Sequence, residues 1–281
     1  MTALEYAQKA NDVFVLSDSF VRIKELIDDE TSTIDDIAEV IMIDPALAST
    51  ILKLANSSFF NYPGKIDTIS KALLVLGITE VYNLVIAYFT SDAFKAIDAD
   101  ADYLERYWEA SVDAALLIKY LGEVCKVPNA ERMFILGLLH NLGELVVKQF
   151  DSNKLDDCVA LSEAEKPWVA QQSILGFTFA DCTAELLKQW KLPFSLVEPI
   201  RGQDSDNILS QPPEAKMLYL AKRVMLQNSF YNKTLIKDWI SDAELQELGL
   251  DNDILKAANS YCDMERLSIL SILKPTAMII Y

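Results

Sequence analysis

TIDDIAEVIMIDPALASTILKLA, residues 33–55, reads as two helices separated by one sharp break. Thr33 is placed as an N-cap, with Asp35 and Asp36 in the first turn, where carboxylates meet the positive end of the helix dipole. Ile34, Ile37, Ala38, Ile41 and Met42 recur at i, i+3, i+4, i+7 and i+8, which is one face of a 3.6-residue period and is expected to be core. Asp44-Pro45 then supplies a second cap with proline at the first helical position, and Leu47, Ile51, Leu54 and Ala55 form the next apolar stripe. Two such helices must meet at an angle.

Working outward, residues 56–66 (NSSFFNYPGKI) lack periodicity and carry Pro63-Gly64, so a loop anchored by Phe59 and Phe60 is expected. A short helix over Ile69–Leu76 ends at Gly77. The next, from Thr79 to about residue 94, is apolar around much of its circumference through Val81, Leu84, Val85, Ile86, Tyr88 and Phe89, as a central buried helix is. A long helix is expected from about Tyr103 to Lys126. Another carries Met133, Phe134, Leu136, Leu138 and Leu139 into His140, and further helices are placed near 154–164, 167–175, 179–190, 194–203, 213–228 and 252–270. No segment alternates with period two, and eight Gly and nine Pro are too few for the turns of a many-stranded sandwich or barrel. The expected class is all-α. The expected division is an N-terminal helical half (1–97), a second helical half (98–240) and a C-terminal helical extension packed on it (241–281), together one compact unit, or, if there are two, with the boundary at Ala96 to Asp102.

At 281 residues and 51% hydrophobic, the chain has ample material for a core. Its net charge of −17, with 42 acidic against 25 basic residues, repels polyanions, and its largest basic clusters are pairs such as Lys222-Arg223. Nucleic acid and anionic membrane are therefore excluded as expected partners. Cys125, Cys158, Cys182 and Cys262 are scattered without a C-x-x-C pair, which points to reduced thiols and a cytoplasmic setting. The first sixteen residues lack a cationic then apolar leader pattern, and no apolar stretch approaches the ~20 residues a bilayer span needs.

Chemistry is limited by His140, the one histidine in the chain. A helical metallohydrolase centre needs several imidazoles and carboxylates converging on one ion, and no Ser-His or Cys-His relay is expected around the one histidine. No metal site, cofactor or catalytic residue is expected. His140 itself is expected as a neutral histidine bonded to a backbone carbonyl or to Glu144, and Gly137 and Gly143 as close-packing or helix-end positions. Asp98-x-Asp100-x-Asp102 with Glu109 imitates a calcium loop but has Tyr103 where glycine is required, so an acidic linker capping the following helix is expected instead.

The chain resembles the HDOD domains, bacterial signalling output modules related to HD-type metal-dependent phosphohydrolases. The resemblance is carried by DPALASTILKLANSSFF (44–60), ISKALLVLG (69–77) and GLLHNLGEL (137–145), and extends over roughly residues 13–230. It implies the all-α fold already read, with residues 98–240 as a degenerate HD-like half. It also implies that the paired His-Asp of the hydrolases falls on His140-Asn141, an earlier histidine near Trp108-Glu109-Ala110-Ser111, and later ligands near residues 177–181 and 201–204. Asn141 replaces an anionic donor by a neutral amide, so a vestigial pocket around Trp108, Glu109, Ala110, His140, Asn141, Phe179 and Arg201 is expected in place of a metal centre.

The function expected is that of a non-catalytic regulatory module working in a bacterial cytoplasm through a protein partner, with a homo-oligomer compatible. No receiver, kinase or cyclase segment is legible, so a stand-alone module is expected. Asp28, Asp29, Asp35 and Asp36, in the acidic run 25–44, are the expected docking surface. The apolar tail 277–281 is expected to pack on the body or mark an interface. The alternatives are a sensor of a nucleotide or other anion in the vestigial pocket, and a weak metal-dependent phosphohydrolase.

Overall fold

The computed structural model describes residues 1–14, 16–60, 62–93, 97, 99–128, 130–228 and 240–273. Among these are sixteen α-helices and no strand: α1 (Ala3–Val13), α2 (Asp18–Asp28), α3 (Ile34–Ile43), α4 (Pro45–Ala55), α5 (Ile69–Leu76), α6 (Ile78–Ala93), α7 (Ala101–Val124), α8 (Met133–Leu139), α9 (Leu142–Phe150), α10 (Ser152–Leu161), α11 (Pro167–Leu175), α12 (Phe179–Gln189), α13 (Phe194–Gly202), α14 (Pro213–Asn228), α15 (Asp242–Glu247) and α16 (Asn252–Leu273). They group into a smaller unit, residues 15–96 with 263–281, and a larger one, residues 1–14 with 97–262.

The caps read from residues 33–55 are formed in the smaller unit. Thr33 and Asp36 make a reciprocal capping box, with Asp36 N donating to Thr33 Oγ1 at 3.2 Å and Thr33 N to Asp36 Oδ2 at 2.8 Å. Asp44 Oδ1 accepts from the Ala46 and Leu47 amides, 3.0 Å each, so two of the orphan donors opening α4 are satisfied. Ile37, Ala38, Ile41, Leu47, Ile51 and Leu54 are buried. Met42, expected on the same stripe, is 53% exposed beside the helix end. Asn56 closes the following loop on itself, donating through Nδ2 to Ile66 O at 2.6 Å while Oδ1 accepts from Ile66 N at 2.9 Å. Phe59 is buried as expected, and Phe60 is half-buried with its ring edge on Phe59, centroids 4.8 Å apart. Gly77, at φ +89°, allows the 119° bend between α5 and α6. α6 is the central helix that its composition indicates, burying even Glu80, Asn83, Thr90 and Ser91.

The larger unit is built around α12, which packs against α1, α9 and α13, while α8 and α14 pack on α7. α8 approaches α7 so closely that a Cβ on Gly137 would lie 2.3 Å from Ala115 Cα. α1 was missed in the sequence and belongs here, not with the N-terminal half: Tyr6 donates to Asp151 Oδ2 at 3.2 Å and its ring lies 5.4 Å from Phe177. Its signal was the Thr2-x-x-Glu5 capping box and the buried i, i+1, i+4 set Tyr6, Ala7 and Ala10. The expected extension 241–281 is divided: residues up to Cys262 group with the larger unit, those from Asp263 with the smaller. The break between the two units at residues 96 and 97 falls at the start of the Ala96 to Asp102 boundary expected for a two-unit chain.

Asp98 and the tail 277–281 lie outside the described residues. Asp100 caps α7, accepting from Tyr103 N at 2.7 Å, which is the helix-capping role expected of that acidic linker. Among the described residues no single helix is long and apolar enough to cross a membrane.

Candidate functional site

The larger unit contains a cavity of about 420 Å³. α7 forms one wall with Tyr103, Arg106, Tyr107, Ala110 and Ser111, residues spaced i, i+3, i+4, i+7 and i+8 and so sharing one face. The break between α8 and α9 brings in His140 and Asn141, and the first turn of α9 adds Glu144. α10, α11 and the start of α12 contribute Leu155, Cys158, Gln171 and Phe179, and α14 contributes Lys222 and Met225.

Of the residues read from the sequence as a vestigial pocket, Ala110, His140, Asn141 and Phe179 meet here. Trp108, Glu109 and Arg201 do not line it. Trp108 and Glu109 point elsewhere on α7 because each is one or two 100° steps from the Tyr107 face: Trp108 is buried and Glu109 exposed. Arg201 is engaged by Glu185, Nη2 to Oε1 at 2.6 Å. The sequence reading missed Tyr103, Tyr107, Gln171 and Lys222. Tyr103, Tyr107 and Ser111 at i, i+4, i+8 on a long helix were the available signal.

The bonding pattern fixes what each group presents. His140 is buried, and Nδ1 donates to Gly137 O at 2.7 Å, the backbone-carbonyl arrangement expected for a neutral ring. Burial pushes its pKa down to about 4, so Nε2 is left as a bare acceptor. Glu144, the other partner considered for it, instead accepts from Tyr103 Oη at 2.8 Å and from Asn141 Nδ2. Burial raises the Glu144 carboxyl, against the lowering effect of those two donors. Lys222 is neutralised by Asp204, with Nζ 2.8 and 2.7 Å from its two oxygens and both side chains largely buried. Gln171 Oε1 accepts from Phe179 N at 2.9 Å, leaving the amide NH2 open. Gln203 Nε2 donates to His140 O at 3.0 Å and holds the α8–α9 break from behind. Tyr107 Oη is fully buried behind the cavity surface.

This donor set does not fit a divalent metal centre. One imidazole nitrogen is committed to a carbonyl, Asn141 presents an amide that donates to Glu144, and among the described residues no three His, Cys, Asp or Glu side chains converge. The four expected docking carboxylates lie in the smaller unit, at the end of α2 and the start of α3, and all are exposed. Asp28 pairs with Lys24, Asp29 accepts from Thr31 N at 2.9 Å, Asp35 accepts from Ser70 Oγ at 3.3 Å, and Asp36 is the capping-box residue.

Residues 14–205 match the model of the HDOD domain family. A curated but uncharacterized protein of Treponema pallidum (strain Nichols) is 28% identical over 225 residues, 77% of this chain; the chain spans 42% of that relative's length. A solved Shewanella amazonensis SB2B protein, whose name proposes a phosphohydrolase, is 24% identical over 97% of both chains with a TM-score of 0.71. An HDOD domain protein of unknown function from Geobacter sulfurreducens is 19% identical over 99% of this chain and 98% of its own, TM-score 0.70. A Marinobacter aquaeolei VT8 protein, whose name proposes signal transduction, is 22% identical over 94% of this chain and 59% of its own, TM-score 0.64. At these identities the solved structures establish the all-α fold, and the family match, over more than half of the sequence, establishes the membership: this chain belongs to the HDOD domain family.

Proposed function

We propose that the chain is a non-catalytic regulatory module that transmits a signal by associating with a protein partner. The observation that carries this reading is the state of the His140-Asn141 pair: the imidazole is neutral and tied to Gly137 O, and the amide that stands where an acidic ligand is needed donates to Glu144. A pair arranged in this way holds itself together and offers a hydrolytic metal one nitrogen.

The docking surface that fits this reading is the exposed carboxylate cluster of α2 and α3, complementary to a basic partner patch. Two kinds of measurement test it. Purified protein is expected to contain no stoichiometric transition metal and to cleave neither phosphomonoesters nor cyclic nucleotides; one or two bound metals per chain with turnover would refute the non-catalytic part. Capture of a partner by immobilised protein is expected to weaken as salt rises, and to weaken further on charge reversal at Asp28 and Asp35. Neither caps a helix, so the melting temperature should fall only slightly, through the first-turn place of Asp35 in α3, while capture falls clearly. Undiminished capture by that variant would refute the acidic surface.

A further inference from the structure

We infer that the outer face of α3 and α5, in the smaller unit, seats a basic amphipathic helix of the partner, with the helix's apolar stripe on Met42, Ile43 and Leu74 and its lysines and arginines against the carboxylates alongside. The inference rests on the association reading and names the partner's chemistry at the same acidic surface.

The first ground is an apolar patch that nothing in the smaller unit's core requires. Ile43 is 72% exposed and Leu74 70%, and Met42 and Ile78 are exposed as well. α3 and α5 pack on one another, and Ser70 Oγ donates to Asp35 Oδ1 at 3.3 Å, so the first turns of the two helices are neighbours. From Asp35 the same stripe of α3 runs through Glu39 to Met42 and Ile43, at i+4, i+7 and i+8; from Ser70 that of α5 runs to Leu74, at i+4. The other faces of both helices are core, with Ile37, Ala38, Ile41, Ala72 and Leu73 buried. Single exposed apolar residues are ordinary, whereas large ones gathered on adjoining stripes of two packed helices mark an interaction surface.

The second ground is the charge beside that patch, which selects the occupant. Asp29, Glu30, Asp35, Asp36 and Glu39 are exposed and in no ion pair, while the cations of this region, Lys24 and Lys71, are already paired with Asp28 and Asp67. Apolar anchors next to unneutralised carboxylates complement an apolar stripe flanked by Lys and Arg. They disfavour a second copy of this chain, because a two-fold pairing of the face would set carboxylates against carboxylates. Secondary structure narrows the occupant further. Among the described residues there is no strand, hence no sheet edge to pair the backbone of an extended peptide, whereas a helix satisfies its own backbone and brings anchors at i, i+3, i+4 and i+7 to a surface made of helices.

The test uses the full chain and three labelled peptides of about 18 residues, five helical turns. One has leucines in a single helical stripe flanked by lysine and arginine, one has the same composition shuffled so that the stripe is lost, and one has glutamate for every basic residue. Fluorescence anisotropy is expected to show the striped basic peptide bound at least about tenfold more tightly than either control, with the affinity falling as salt rises while the preference for the stripe persists. Leu74→Ser and Ile43→Ser are each expected to weaken that binding about tenfold, and Leu267→Ser, at an equally exposed leucine of α16, to leave it unchanged. Both patch variants should melt close to the wild type, since the side chains removed are exposed, and hydrogen exchange should slow in α3 and α5 when the striped peptide is added. The inference is overturned if the stripe gives no preference, if Leu74→Ser and Ile43→Ser bind as the wild type does, if protection appears elsewhere, or if the chain alone forms a dimer that Ile43→Ser abolishes. Capture of the natural partner separates this inference from the reading beneath it: a partner lost on charge reversal at Asp28 and Asp35 but retained by Leu74→Ser leaves the acidic surface standing and overturns the helix seat, and a partner retained by both variants overturns both.

Discussion

Gly137→Ala should lower stability, although alanine is the better helix former. Gly137 lies within α8, where replacing glycine by alanine ordinarily gains up to ~1 kcal/mol. Here the added Cβ would stand 2.3 Å from Ala115 Cα, 2.5 Å from Ala115 N and 2.7 Å from the Ala114 carbonyl carbon, all backbone atoms of α7. No side-chain rotation relieves such a contact; α8 must withdraw from α7 by ~1 Å to restore ordinary van der Waals spacing, with Phe134, Leu138 and the rest of a fully buried helix moving too. Overpacking of this kind costs ~1–3 kcal/mol, and rigid backbone on the opposing side places this case at ~3. Subtracting the helix-propensity gain leaves a net loss of about 2 kcal/mol, or roughly 4–8 °C in Tm. Gly122→Ala on α7 is the internal control, because its Cβ would meet only Met133 side-chain atoms, the nearest at 2.9 Å, which can swing aside. Urea denaturation of both variants decides the matter: a Gly137→Ala midpoint at or above that of the wild type would refute the close approach of α7 and α8.

Four further outcomes are expected. Asp44→Ala should cost ~1 kcal/mol in urea denaturation, because the Ala46 and Leu47 amides lose their acceptor. Phe59→Ala should cost ~3–5 kcal/mol and Phe60→Ala clearly less, since the first ring is buried and the second half-exposed; equal losses would contradict the loop geometry. The imidazole carbon proton of the single histidine should show no NMR titration between pH 5.5 and 8 in the native protein, and stability should fall as pH drops from about 6.5 toward 4. In that window the unfolded chain binds a proton that the folded His140, depressed to about 4, refuses, so His140→Gln should flatten this part of the curve. Cys158 and Cys182, pushed up by burial to about 11 and about 12, should resist alkylation at pH 8 until the protein is unfolded.

Local rules were enough for much of the fold. The boundaries of α3, α4 and α5 follow from Thr33, Asp44-Pro45 and Gly77, because caps and φ restrictions act within a few residues. Met42 shows the limit: it sits on the apolar stripe by spacing, yet α3 ends one residue later and leaves it exposed. Periodicity says which face is apolar, not how far cover extends along it. The grouping of α1 with α9 and α12 depends on partners more than a hundred residues away, and no local signal encodes that. In the cavity, the loop bearing His140 and Asn141 was legible because those residues interrupt an apolar run. Tyr103 and Tyr107 were not, since an aromatic residue at helical spacing reads equally as core. Lys222 was visible as half of a basic pair; that Asp204 cancels it follows from an ion pair across eighteen residues.

The pairing of Tyr6 with Phe177 and Asp151 sets an order of events on the ribosome. α1 is made before every other described helix, but its docking surface on α12 is complete only when Gln189 has been made, some 176 residues after Val13. At about 5–20 residues per second the wait is roughly 9–35 s, during which the whole segment 15–96 is produced and free to fold around its own core. The nascent chain thus carries Tyr6, Ala7 and Ala10 without their α12 partner until residue 189 is made, and α1 joins the larger unit only after α7 to α12 exist, not as its nucleus.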